Sequence, residues 1–289
     1  MSFKPNPAPG TCPTLPDTGL LRVAGRDAAA FLQSQTMNDV NALVAGRWHW
    51  NGLLTPKGRV IALFALLREA DDQFLMVLPD YAAADMAAHL KKFVFRSKLS
   101  LLPLEDWRAC AGPAPSGPDR AVAAGDAGSG WVLDLSGDGA QRGLWLLPVG
   151  DPAITEPNPA TTHAWRLADL AHGLPRLPAE QREAWTPQML SLDRLAAYSL
   201  KKGCYPGQEI VSRTHYLGQA KRTMARLQAD PAPPAGSPVL DGQGRELGTV
   251  VCAQGDELLA VLATTPETGG LAAAGRALAR RELLNGLVR

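Results

Sequence analysis

Two apolar runs constrain what this chain can fold into more than any other feature. Val60 to Leu67 is wholly aliphatic or aromatic, and Phe74 to Leu78 follows the turn Glu69-Ala70-Asp71-Asp72. This spacing predicts a β-hairpin. A short strand is expected at Leu20 to Val23, followed by Gly25-Arg26-Asp27, whose Asp27 can cap a helix carrying Phe31, Leu32 and Gln35 and ending near Val40. After the hairpin, Asp80 can cap a second helix. In it Met86, Leu90, Phe93 and Val94 recur at helical spacing while Lys91, Lys92 and Arg96 point elsewhere. The order predicts an α+β layer with helices on one face of an antiparallel sheet.

The stretch Gly112 to Gly130, rich in Pro, Gly, Ala and Ser, predicts a linker or exposed loop. Strands are expected at Trp131 to Leu135 and Leu144 to Val149, joined by Ser136-Gly137-Asp138-Gly139. A helix follows at His163 to His172, and Thr186-Pro187 supplies a cap and first-turn proline for another through Leu195. Beyond Arg213, short apolar runs such as Val250 to Cys252 and Leu258 to Leu262 alternate with Gly242-Gln243-Gly244 and Gly255-Asp256. These predict a small β-barrel or sandwich. Three portions are expected, 11–110, 111–200 and 201–289, with no internal repeat.

A chain of 289 residues, 46% hydrophobic and 20% charged, can bury a substantial core. Its formal charge of +1 offers no global field for nucleic acid or an anionic membrane, so neither is an expected partner. A local basic patch is compatible with that balance, and Lys91-Lys92 is most simply the solvated face of its helix. The start, Met1 to Gly10, is proline-rich and polar, and no apolar run is long enough to span a bilayer. The expectation is a cytoplasmic monomer. Cys12, Cys110, Cys204 and Cys252 are widely spaced, and the five histidines are scattered, so no metal site is encoded locally. Cys12 falls in the proline-rich tail, where disorder is expected, while Cys110 and Cys252 read as inert core thiols. Trp48-His49-Trp50 is an aromatic cluster suited to core packing more than to stacking on a ligand.

The densest chemistry lies at Lys202-Gly203-Cys204-Tyr205-Pro206-Gly207-Gln208-Glu209, continuing to Arg213. A buried inert thiol has no need of Lys202, Gln208, Glu209 and Arg213 around it, and each is costly to desolvate without a partner. They argue for a polar pocket. Lys201, Lys202 and Arg213 can favour the thiolate, and Pro206 suits the first position of a short helix whose amides would point at the sulfur. Glu209 and Arg213 would then pair at i, i+4, although Ile210-Val211 fits a strand equally well. His215 could accept the thiol proton.

These residues read K-G-C-Y-x-G-Q-E-x-x-x-R, which resembles the signature of the YgfZ family of folate-binding, iron–sulfur assembly proteins, relatives of the glycine-cleavage T-protein. Phe31-Leu32-Gln33-Ser34-Gln35, Asn38-Asp39-Val40, Pro56-Lys57-Gly58-Arg59 and Pro187 to Asp193 resemble family segments in family order. The resemblance covers most of the chain. It implies an α+β, T-protein-like ring of two α+β portions and a C-terminal β-barrel around a central channel for tetrahydrofolate or a related reduced folate. The motif would line that channel, with Cys204 as the reactive residue. Tyr205, Gln208, Glu209 and Asp193 would contact the ligand, and Lys202, Arg213 and Arg59 would supply cations. The T-protein uses an aspartate a few residues after the glycine matching Gly58, whereas here Arg59-Val60-Ile61-Ala62-Leu63 follows.

The resemblance therefore implies an accessory factor for iron–sulfur client enzymes or assembly proteins, including enzymes that thiomethylate tRNA. A folate-dependent aminomethyl transferase and a non-catalytic interaction module stand as alternatives. A thiol hydrolase using Cys204 and His215 lacks an oxyanion or third-member signal.

Overall fold

The protein is described by a computed structural model covering residues 10–218, 220–265 and 268–289. The proline-rich start up to residue 9 lies outside the described residues. Strand β1 (Cys12–Pro13) leads to β2 (Thr18–Ala24) and helix α1 (Ala28–Gln35). Strands β3 (Trp48–Leu54), β4 (Val60–Ala70) and β5 (Gln73–Pro79) form a meander, with β4 and β5 as the expected hairpin. Helix α2 (Ala83–Lys91) and strand β6 (Ser100–Pro103) complete an antiparallel sheet of order β3-β4-β5-β2-β6.

The unbroken apolar runs have a simple cause, which is that both faces of this sheet are covered. Phe64 and Leu66 of β4, with Phe74, Met76 and Leu78 of β5, pack on Phe31 and Leu32 of α1 and Met86 and Leu90 of α2. The alternate residues Leu63, Ala65, Leu67, Leu75 and Val77 face the other way, into a core shared with a second sheet. That sheet is β7 (Trp107–Gly112), β8 (Ala124–Asp126), β9 (Gly130–Asp134) and β10 (Gly143–Pro148), in the order β7-β10-β9-β8. Strand β11 (Ile154–Thr155) pairs in parallel with β1.

Several expectations are corrected at this level. Helix α1 stops at Gln35 because Thr36 turns extended, its hydroxyl donating to the Leu32 carbonyl at 2.8 Å. Asp27 accepts from the Lys98 N–H instead of capping its own helix, and Asp80 pairs with Arg176 while Ala82 holds the cap position of α2. The stretch 112–130 is not all linker, since it contributes β8. Cys12 is not in a loose tail: it is fully buried with Cys110, Val132 and Trp145.

Helix α3 (Pro159–Ala171) begins with Asn158 accepting from the Thr161 N–H. The helix expected from Thr186 to Leu195 is instead a series of turns ending in a 3-10 turn at Leu192–Leu195, bounded by left-handed Ser191 (φ 49°) and Ala196 (φ 51°). Helix α4 (Gln208–Leu217) settles the motif as helical, starting two residues after Pro206. The remaining strands are β12 (Arg222–Gln228), β13 (Pro238–Leu240), β14 (Glu246–Gln254), β15 (Glu257–Ala263), β16 (Leu271–Ala273) and β17 (Arg276–Arg281). They close a barrel in the order β12-β15-β14-β13-β16-β17. Leu258, Ala260 and Leu262 fill it, while Leu259 and Val261 dock it onto the main core. No helix among the described residues is long and apolar enough to cross a membrane.

One contact ties the motif to the first sheet. Gly207 is left-handed (φ 82°) at the start of α4, and a Cβ there would sit 2.6 Å from the Thr55 carbonyl oxygen and 2.7 Å from the Gly58 Cα. Gly58, also left-handed, would drive a Cβ to 2.8 Å from Ile210. Gly203 has open space around it. Gly207→Ala is therefore expected to lower unfolding free energy by about 2 kcal/mol or more, through strain and displaced backbone. Gly203→Ala is expected to be near neutral. Parallel denaturant titrations check the pair, and equal stabilities would remove the contact's significance.

Candidate functional site

The loop before α4 is held by an inward-pointing lysine. Lys202 is 6% exposed, and its ammonium donates to the carbonyls of Thr36 (2.6 Å) and Asn38 (2.9 Å). It also lies 5.0 Å from the centre of the Tyr205 ring, a cation–π distance. Burial pulls its pKa down to about 8, opposed by Asp39, so it still carries its charge at neutral pH. Gln208 closes the turn by donating to the Lys202 carbonyl at 3.1 Å, and Gln188 donates to the Val211 carbonyl inside α4.

The far side of this clamp is a network around Asn38. Its side-chain amide donates to the carbonyls of Trp50 and Ala196, both at 2.8 Å. Its own N–H donates to the Asn51 side-chain oxygen. The Asn51 amide nitrogen lies 3.2 Å from His49 Nε2, so a donating Asn51 makes Nε2 an acceptor and places the ring proton on Nδ1. Burial lowers the His49 pKa to about 4, and the positive charge of Lys202 adds to that. Gln33 completes the frame, donating to Asp39 and accepting from the Val40 N–H.

Between this network and residues 193–201 lies a cleft of 590 Å³. Its walls include Asp39, His49, Asp193, Tyr198, Lys201 and Arg289. Burial, and then Asp193, raises the Tyr198 hydroxyl to about 12. Tyr205 is likewise raised to about 12 by burial and then Tyr198, and its buried hydroxyl has no hydrogen-bond partner among the described residues. Arg289 lies over the Trp48 ring and donates to the carbonyls of Asp134 and Ser136.

Of the residues expected to form a site, Asp193 lines this cleft, while the motif itself reaches the wall only through its flanking Lys201. Cys204 is exposed, three residues beyond Lys201. Lys202 is a structural clamp and not a free cation. Arg59 donates from Nη1 to the Ala184 carbonyl at 2.6 Å. Glu209 and Arg213 are exposed on α4 and make no ion pair with each other among the described residues. His215 stands edge-on to Tyr216 in the last turn of α4, about 10 Å of helix rise from its start. His49, Tyr198 and Arg289 were missed as wall residues. Asn38-Asp39 carried a signal for this region, Trp48-His49-Trp50 a weaker one, and Arg289 none.

The depressed His49 pKa links to stability. The unfolded chain takes up a proton near 6.5, whereas the folded ring takes one only near 4, so stability is fully present above 6.5 and is lost as pH falls through 4. The expected loss is about 3 kcal/mol, and His49→Asn should flatten the profile over that window. Lys202→Met removes the nearby charge and leaves two carbonyls unpaired, so it should raise the His49 pKa and cost about 1–3 kcal/mol. Ring-proton NMR titration and urea unfolding measure both, and an unchanged His49 titration in Lys202→Met would sink the coupling.

No family model matches the chain. A curated relative from Vibrio vulnificus named tRNA-modifying protein YgfZ is 31% identical over 236 residues, covering 76% of this chain and 71% of the relative. Another of that name from Escherichia coli O157:H7 is 28% identical, covering 85% of this chain and 81% of the relative. Among solved structures, glycine cleavage system aminomethyltransferase T from Bartonella henselae matches with a TM-score of 0.74 at 18% identity, over 96% of this chain and 86% of that one. The fold is thus the α+β T-protein fold with its C-terminal barrel. With its motif and ordered amino-terminal segments carried on that fold, the chain belongs to the YgfZ family of tRNA-modifying proteins.

Proposed function

We propose that this protein binds tetrahydrofolate or a related reduced folate in the cleft beside residues 193–201. It then serves as an accessory factor in assembling or repairing the iron–sulfur clusters of client enzymes, those that thiomethylate tRNA among them. Cys204 is the reactive residue. One observation carries this reading: the segment whose earlier residues wall the cleft ends in an exposed thiol. The names of the relatives and the shared T-protein fold support it.

The residues present fit a folate. A cleft of 590 Å³ is within the range of small-molecule sites. The exposed Asp193 carboxylate suits the N–H donors of a pterin edge, protonated Tyr198 adds a donor, and Lys201 offers a cation for the glutamate tail. Neutral His49 presents a polar edge without adding charge. A bound reduced folate supplies a carrier for one-carbon units. Aminomethyl transfer by the T-protein route is disfavoured, because the residues that follow Gly58 are Arg59 and then the buried apolar run Val60 to Leu67.

In cells lacking the protein, the parent is expected to restore iron–sulfur enzyme activity and Cys204→Ser to fail. Full restoration by Cys204→Ser removes the thiol role. In direct titration, Asp193→Asn should weaken reduced-folate binding about tenfold, an effect of about 1.4 kcal/mol, while Cys204→Ser leaves it unchanged. Absence of binding to any reduced folate at cellular concentration overturns the ligand, and multiple turnover of an aminomethyl donor overturns the accessory role.

A further inference from the structure

The segment from the end of α2 to β6 presents an unusual surface. Lys91, Lys92, Arg96 and Lys98 are all exposed, and none pairs with a carboxylate among the described residues. Phe95 between them is 88% exposed, and Phe93 is 41% exposed, with its ring 5.7 Å from that of His89. Val94 packs instead on the core beneath the helices. The backbone is tied down by turn hydrogen bonds from Phe93 and Val94 and by the Lys98 N–H donating to Asp27. The sequence pattern suggested a solvated helix face here, but the helix ends at Lys91 and the aromatic rings are turned outward.

An aromatic ring held in water costs free energy that a merely solvated charged face would avoid. We propose that residues 91–98 form a contact surface for unpaired nucleotides of RNA, with Phe95 as a stacking platform and the four cations reaching phosphates. The combination is what single-stranded nucleic acid requires: rings offer a sequence-tolerant face for bases, and interleaved cations track the backbone. Folded RNA presents such unstacked bases in its loops. The two exposed rings flank an inward residue and are separated by charge, so they do not form the continuous apolar patch of a typical protein or membrane contact. With a chain charge of only +1, the attraction is local to this loop. The inference goes beyond the folate reading and is independent of it.

The test is fluorescence anisotropy of a labelled single-stranded RNA oligonucleotide with the full chain, repeated across salt concentrations and with DNA of the same sequence. Engagement of all four cations predicts a slope of log K against log salt of about −3. Phe95→Ala is expected to weaken binding about tenfold or more with little change in slope, and Phe95→Trp to preserve it. Lys91→Gln with Lys92→Gln should reduce the slope by about 1.4. No RNA binding at low salt, or binding untouched by these variants, overturns the proposal. So does tighter binding of the DNA, or of anionic vesicles or an acidic peptide with the same Phe95 dependence. Reduced-folate titration of the same variants should be unchanged, which separates this outcome from failure of the folate site.

Discussion

At the start of α4 the backbone of Gly207 lies directly against that of Gly58, with no side chain between them. Two left-handed glycines, almost 150 residues apart, thereby bring the motif helix onto the turn between β3 and β4. Val211 can then enter the main core, and the preceding loop can send Lys202 inward to the carbonyls of Thr36 and Asn38. The cleft inherits its position from this arrangement, because Ala196 is tied to Asn38 and Ser199 to Met37. A methyl group at the glycine contact would disturb the register of all these bonds together.

The clamp is a buried cation answered by carbonyl oxygens and a π face rather than by a carboxylate. This satisfies the ammonium through neutral acceptors. It also keeps His49 neutral, since burial and the lysine act in the same direction on that ring. Two anions line the cleft, Asp39 and Asp193, from distant parts of the chain.

Much of this was legible in residue order. The hairpin around Asp71-Asp72 and the barrel strands followed from apolar periodicity, and the K-G-C-Y string together with the ordered amino-terminal segments pointed to the family. The turns from Thr186 to Leu195 were not legible, because left-handed Ser191 and Ala196 break a pattern that otherwise satisfies helix rules. Nor could composition show that Cys12 is drawn into a core by pairing between β1 and β11. Lys202 and Arg59 were expected as cations for a ligand, and residue order could not show the carbonyls to which both donate. Those carbonyls come from residues 36, 38 and 184, none adjacent in sequence to the cation.

The reach of the Lys202 clamp has a consequence for how the molecule is made. Its acceptors belong to the first sheet, which is translated long before the lysine, and domains generally form as the chain emerges. Thr36 and Asn38 must therefore keep their carbonyls hydrated until residue 202 arrives, and His49 loses its positively charged neighbour for that whole interval. The cleft is completed late, by a segment that leads into the exposed thiol of Cys204. The loop that holds Cys204 is consequently set in the same step that closes the cleft.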